Sequence, residues 1–255
     1  MPRYRLDCAY HGAQFHGWQR QSDLRTVQGE LELWLGRVLR AEGPVPLVGA
    51  GRTDTGVHAE QMVAHFDRDC AIPVDRLAER LNAALPPDLA VHRVIPVDDD
   101  FHARYSATAR TYVYRIATQR TPFGRDRSWY VPHDLDYDRL CAVAAVVLGE
   151  HDCAGLCRAE SRKDDNRCRV DVSEWQTRDG FLMYRIRARR FLHEMVRLLV
   201  GTYAGIAAGR LPPDRIGDIF ATGDVRLCGD AAPAHGLTLV SVDYGGGGGA
   251  PGDLG

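Results

Sequence analysis

Asp179-Gly180 stands between two stretches that read as strands, residues 167–176 and 181–189. Asp-Gly suits a tight turn with positive φ, so the two stretches are predicted to pair as an antiparallel hairpin. That signal argues against an all-parallel sheet. Further strands are predicted at 4–10, 46–50, 61–66, 89–97, 108–116 and 237–244. On the strand over 108–116, Tyr112, Tyr114 and Ile116 alternate with Thr111, Val113 and Arg115. Helices are predicted from 27 to about 40, capped by Thr26, then over 74–84, 137–148 and 191–208, with a shorter one starting near Pro213. Strands and helices interleave, so the fold class expected is α+β. The chain divides near residues 100–110 with a similar mixture on each side. The domains expected are 1–105, 106–244 and a disordered glycine-rich tail over 245–255.

At 255 residues, with 45% hydrophobic and 26% charged residues, the composition is that of a soluble globular protein. No apolar run is long enough to span a membrane, and Met1-Pro2-Arg3-Tyr4-Arg5 lacks the apolar segment of a signal peptide, so a cytoplasmic location is expected. Seven cysteines, an odd number, fit reduced thiols better than a disulfide framework. His151, Cys153, Cys157 and Cys168 invite a zinc reading, but no second close pair completes the set. Packed or surface thiols are the default.

The net charge of −2 does not advertise a nucleic-acid partner, but the distribution does. Arg104, Arg110, Arg115, Arg120, Arg125 and Arg127 face only Asp126 within their own segment. Arg185, Arg187, Arg189, Arg190 and Arg197 face only Glu194. Two basic segments in a near-neutral chain suggest one positive face.

Three features carry possible chemistry. Gly51-Arg52-Thr53-Asp54-Thr55-Gly56-Val57-His58 places one carboxylate beside a cation and between two glycines, which permit a sharp turn and close approach of a substrate. Tyr112 lies on a predicted strand inside an arginine-rich stretch. Arg197 lies in the apolar helix that begins Phe191-Leu192-His193-Glu194-Met195-Val196-Arg197, where it either snorkels to solvent or meets a carboxylate. Read singly, they are a turn aspartate, a core-edge tyrosine and a snorkelling arginine. Phe15 and Trp18, in the loop over 12–25, are read as exposed aromatics that stack on a ligand, with plugging the core an equal alternative for Trp18.

Together these features resemble the TruA-type tRNA pseudouridine synthases. The loop matches the family's Gly-Arg-Thr-Asp-x-Gly-Val-His at every fixed position. The similarity continues through Tyr10-His11-Gly12 to Gly17-Trp18-Gln19-Arg20-Gln21, then Phe101-His102-Ala103-Arg104 to Tyr112-x-Tyr114. It resumes at Phe191 through Arg197 and Val200-Gly201, then at Ala232-Pro233 and Gly236-Leu237-Thr238-Leu239. The resemblance implies two similar mixed domains with largely antiparallel sheets flanking a basic active-site cleft. It implies isomerisation of uridine to pseudouridine at tRNA positions 38, 39 and 40 by a homodimer, with no cofactor and no metal. It also implies roles: Asp54 catalytic, Arg197 its basic partner, Tyr112 packing on the target base, Arg52 displacing that base, and Leu237 binding substrate.

The roles suit the chemistry. A glycosidic bond breaks, uracil rotates, and C5 takes the place of N1. An enclosed carboxylate stays ionised when a guanidinium is near, and an aromatic face holds a detached base without consuming hydrogen bonds. Asp54 acts either as nucleophile or as base towards the C2′ proton. The chain departs from the family at His11, at Asp152-Cys153-Ala154-Gly155-Leu156, which lacks two aromatics, and at Arg190. Two rival functions compete with this one. A noncatalytic RNA-binding protein has no need of a carboxylate facing an anionic ligand. A metal-dependent phosphotransferase needs several clustered carboxylates, where the loop has Asp54 and Glu60.

Overall fold

The computed structural model describes residues 1–70 and 72–245. The described chain forms two compact units, one of residues 1–108 with those from 239 onward, the other of residues 109–238. It is an α+β protein with mostly antiparallel strands.

The first unit contains β1 (Arg3–Tyr10), α1 (Val27–Val38), β2 (Val48–Gly49), β3 (His58–Asp67), α2 (Val74–Asn82) and β4 (Leu89–Val97). β1 lies between β3 and β4 and runs antiparallel to both. Its Leu6 stands opposite Ala64 and Val94, and all three side chains are buried. Thr26 opens α1 as the sequence predicts: its Oγ1 accepts a hydrogen bond from the NH of Gly29 at 3.3 Å. Leu31 and Leu35 on α1 and Leu77 and Leu81 on α2 are fully buried. β2 is short and pairs with β3, so the chain between them is held close to the sheet.

The second unit contains most of β5 (Ala107–Ala117), then β6 (Trp129–Tyr130), α3 (Tyr137–Val146), β7 (Gly149–Asp152), β8 (Arg167–Arg178), β9 (Phe181–Ala188), α4 (Met195–Ala207) and α5 (Arg215–Thr222). Its strand order is β5-β9-β8-β7, with β6 added to β5 in parallel. The hairpin forms where Asp-Gly predicts it: Asp179 and Gly180 have φ of 51° and 80°, and β8 and β9 pair antiparallel across them. On β5 both faces are covered, since Tyr114 and Ile116 are buried and so are Thr111 and Val113, while Tyr112 is half-buried. α4 is buried at every position except Arg197. It begins at Met195 rather than at Phe191, because Glu194 has a φ of 61° and interrupts the helical backbone.

β10 (Leu237–Tyr244) ends the described fold and, from Leu239, lies beside β3 in the first unit. Apart from Gly245, the tail expected over 245–255 lies outside the described residues. No helix among the described residues is long and apolar enough to cross a membrane.

Candidate active site

Asp54 sits in the loop that enters β3, and the stretch from Tyr10 to Trp18 holds that loop. The NH of Trp18 donates to the carbonyl of Thr53 at 3.1 Å, and the NH of Gly56 to the carbonyl of Phe15 at 3.4 Å. Tyr10, at the end of β1, shares a buried 2.8 Å hydrogen bond with the Thr53 hydroxyl. Within the loop the NH of Val57 returns to the carbonyl of Asp54 at 3.1 Å. Just beyond it, His58 Nδ1 accepts the NH of Gly12 at 3.0 Å. Thr53 and Val57 on either side are buried, Asp54 is half-buried, and Arg52 and Thr55 are exposed. A buried hydrogen bond is worth about 1 kcal/mol net, and more is lost when one partner is left unsatisfied. These contacts fix where the carboxylate can point.

Two glycines make the geometry possible. Gly56 has a φ of 83°, as expected for the loop's second glycine. Gly17 has a φ of 82°, and a Cβ there would lie 2.7 Å from the Thr53 carbonyl oxygen. Gly51 does not take a positive φ, so the conformational reason expected for it does not apply. Phe15 and Trp18 are 1% and 2% exposed. They are core residues beneath the loop, and the ligand-stacking reading of them is set aside.

In the second unit, Tyr112 and Arg197 lie on elements joined through the segment Ala232-Pro233. Arg197 Nε donates to the carbonyl of Ala232 at 2.8 Å, and the NH of Ala232 returns to the carbonyl of Arg197 at 3.0 Å. The hydroxyl of Tyr114 donates to the carbonyl of Pro233 at 2.8 Å. Burial pushes the Tyr114 phenol far above its ordinary range, with a small opposing effect from the Arg197 charge. It is therefore a neutral donor. Tyr112, two residues earlier on β5, meets the edge of Phe191 at 5.2 Å between ring centroids. Leu237 is buried at the start of β10. Arg197 also bonds Glu194 at 3.2 Å, and Glu194 is held in turn by Arg158. Sequence reasoning missed Glu194 and Arg158. The available signal was an acid directly preceding the apolar run of α4.

The two arginine-rich segments differ in what surrounds them. Arg185 and Arg187 on β9 meet Glu174 and Asp171 of β8 at 3.2 and 3.4 Å, and Arg190 meets Asp165 at 3.6 Å. The expected local surplus of charge is thus partly cancelled across the hairpin. By contrast, Arg120 and Arg125 line an open cavity of about 940 Å³ with Trp129, Tyr130 and His235, and no acid among the described residues lines it.

The cysteines carry no metal-binding geometry among the described residues, where no three His, Cys, Asp or Glu side chains are grouped to hold an ion. His151 stacks on Phe220 at 4.2 Å. The thiols of Cys153, Cys157 and Cys168 each donate to a nearby carbonyl.

A family model described as tRNA pseudouridine synthase matches residues 8–106 and 143–245. The chain belongs to the tRNA pseudouridine synthase family. Among its relatives, a tRNA pseudouridine synthase A of Cereibacter sphaeroides is 42% identical over 252 residues, covering 96% of this chain and 97% of that one. One from Cutibacterium acnes is 41% identical, covering 96% and 89%, and one from Parabacteroides distasonis is 38% identical, covering 96% of both chains. The family is one of isomerases. Arg52, Asp54, Arg197 and Leu237 fall inside the two matched segments, and Tyr112 falls between them.

Proposed function

We propose that this chain isomerises uridine to pseudouridine at positions 38, 39 and 40 of the tRNA anticodon stem-loop. Asp54 is the catalytic carboxylate, and Arg197 is its basic partner. Tyr112 packs against the uracil, Arg52 helps displace the target base from its stack, and Leu237 adds an apolar contact. The C1′–N1 bond breaks, the base rotates, and a C1′–C5 bond forms. The C5 proton leaves to solvent and N1 gains one, so the atoms balance with no redox step and no leaving phosphate. The reading therefore calls for neither cofactor nor metal. The target base must leave the stack before its reacting atoms are accessible. The enzyme works as a cytoplasmic homodimer, one subunit holding the tRNA body while the other modifies it. Arginines contact phosphates and position the RNA without reading its sequence.

One observation carries this reading. The Asp54 loop is pinned on both sides by the Trp18 and Gly56 amides and by the Tyr10 hydroxyl, yet Asp54 itself stays half-buried at its surface. A merely structural turn aspartate needs no such support. The test is tritium release from tRNA labelled at uridine C5, in metal-free buffer, by wild type and by Asp54→Ala. Release by wild type alone establishes the reaction and the carboxylate. A folded wild type that binds tRNA and releases nothing overturns the assignment in favour of a binding protein, and release abolished by chelator favours metal-dependent chemistry.

A further inference from the structure

Glu194 has no role in the reaction as described, yet its surroundings are unusually constrained. Its backbone is left-handed, with a φ of 61°. A non-glycine residue holds that conformation where its surroundings over-determine it. Its side chain is 9% exposed and bonds two guanidiniums at once. Arg158 reaches it through Nε, and Arg158 Nη2 lies 3.2 Å from Oε1. The same Oε1 receives Arg197 Nη1 at 3.2 Å. Burial pushes the Glu194 carboxyl up, but the hydrogen bond and charge of Arg158, with the charge of Arg197, outweigh this and hold it below the ordinary carboxylate range.

These contacts define the plane of the Arg197 guanidinium. Its five N–H donors lie in one rigid fork. Ala232 fixes Nε from one edge and Glu194 fixes Nη1 from another, so the direction of Nη2 follows. A single carboxylate bonded to Arg197 alone would cancel the charge that the proposed reaction requires of it. Arg158 changes that balance: two guanidiniums share one carboxylate, and these three side chains together carry one positive charge.

We infer that Glu194 is a positioning residue that aims Arg197, and that Arg158 is the counter-ion that lets it do so without neutralising Arg197. The inference rests on the proposed role of Arg197 beside the catalytic carboxylate. It makes an asymmetric prediction. Removing Glu194 loosens Arg197, whereas removing Arg158 alone leaves Glu194 to compete for Arg197.

The experiment is single-turnover tritium release from C5-labelled tRNA, with tRNA binding measured in parallel, for Glu194→Gln, Arg158→Gln and the double variant. Each single substitution is expected to slow the step about 10- to 100-fold, the scale of a misplaced catalytic group, with tRNA affinity within about 3-fold of wild type. The double variant is expected to be no slower than Arg158→Gln alone, because removing the competing carboxylate relieves the defect. An active wild type with an equally fast Glu194→Gln overturns the inference. So does a double variant whose losses multiply, or a rate loss matched by an equal loss of affinity, which would make these residues RNA contacts. If Glu194→Gln does not fold, Arg158→Gln decides, since Arg158 is 63% exposed; a wild-type rate there overturns the proposal. A wild type that releases no tritium overturns the reaction itself, and the inference with it.

Discussion

The main-chain NH of Trp18 donates to the carbonyl of Thr53 at 3.1 Å, so a core tryptophan and the residue preceding Asp54 share one rigid joint. Trp18 is 2% exposed and its indole fills the space a Cβ on Gly49 would occupy. Its backbone therefore cannot shift without disturbing the packing beneath the loop. The neighbouring Gly17 allows the approach, and the Tyr10–Thr53 hydrogen bond closes it from β1. The position of the candidate carboxylate is thus set by buried residues beneath and beside its loop.

Gly17→Ala should expose this dependence. The added methyl would lie 2.7 Å from the Thr53 oxygen, on a backbone with a φ of 82°. Left-handed strain in a residue with a side chain costs roughly 1–2 kcal/mol, and the clash adds to it. We expect a loss of about 2 kcal/mol or more in denaturant-derived stability, with tritium release falling further than tRNA affinity. Wild-type release by this variant would show that the joint does not set the carboxylate.

Asp54→Asn tests the charge rather than the shape. The side chain is isosteric, so folding and tRNA affinity should stay near wild type. If Asp54 acts as base or nucleophile, the rate of release should fall by at least about 10²–10⁴-fold. A variant within about 3-fold of wild type would assign the chemistry to another group. The loss should appear in single-turnover rates, where product release does not interfere.

What was legible in the sequence had local causes. The Asp179-Gly180 hairpin follows from turn chemistry, and β4 spans residues 89–97 as predicted because its apolar run is bounded by Pro87 and by Asp98 onward. What was not legible depended on partners distant in the chain. β6 is two residues long and exists only because β5 offers an edge to it. The start of α4 is displaced by the left-handed backbone of Glu194, which periodicity does not reveal. Segment-by-segment charge counting overstated the basic character of β9, because Glu174 and Asp171 stand on β8, across a hairpin from Arg185 and Arg187. For the Asp54 loop, the motif located the carboxylate, but its support at Phe15 read as a ligand-facing aromatic and Trp18 read equally well as one, whereas both are core residues.

His65 should give the fold a pH dependence. It is 5% exposed on β3, and its Nδ1 accepts the NH of Ala103 at 3.1 Å. Burial lowers its pKa to about 4, helped by the charges of His102 and Arg3 and opposed by Asp67. The unfolded chain therefore binds the proton more readily than the folded one. This contribution is fully present above about 6.5, the unfolded value, and is lost as pH falls from there through about 4. Thermal midpoints measured from pH 7 down to pH 4 should decline, and His65→Asn, which cannot titrate, should decline less steeply. Parallel slopes for the two proteins would assign the acid sensitivity elsewhere.

Arg120 and Arg125 should contact RNA phosphates. They line a cavity of about 940 Å³ with Trp129, Tyr130 and His235, and no acid among the described residues lines it. The cavity lies beside Ala117, the last residue of β5, five residues beyond Tyr112 on the same strand. At about 3.3 Å per residue the separation is about 17 Å. Stacked nucleotides rise about 3.4 Å each, so a single stem-loop spans both places. Phosphate contacts release counterions, and each one steepens the fall of affinity with salt by about one unit of logarithmic slope or slightly less. Replacing both arginines with alanine should weaken tRNA binding and flatten that slope by about 1.5 to 2. The single-turnover rate at saturating enzyme should be unchanged, because neither side chain is assigned to the reacting base. A double variant with the wild-type salt slope would place the RNA backbone on another face, and the partly neutralised arginines of β9 would be the next to replace.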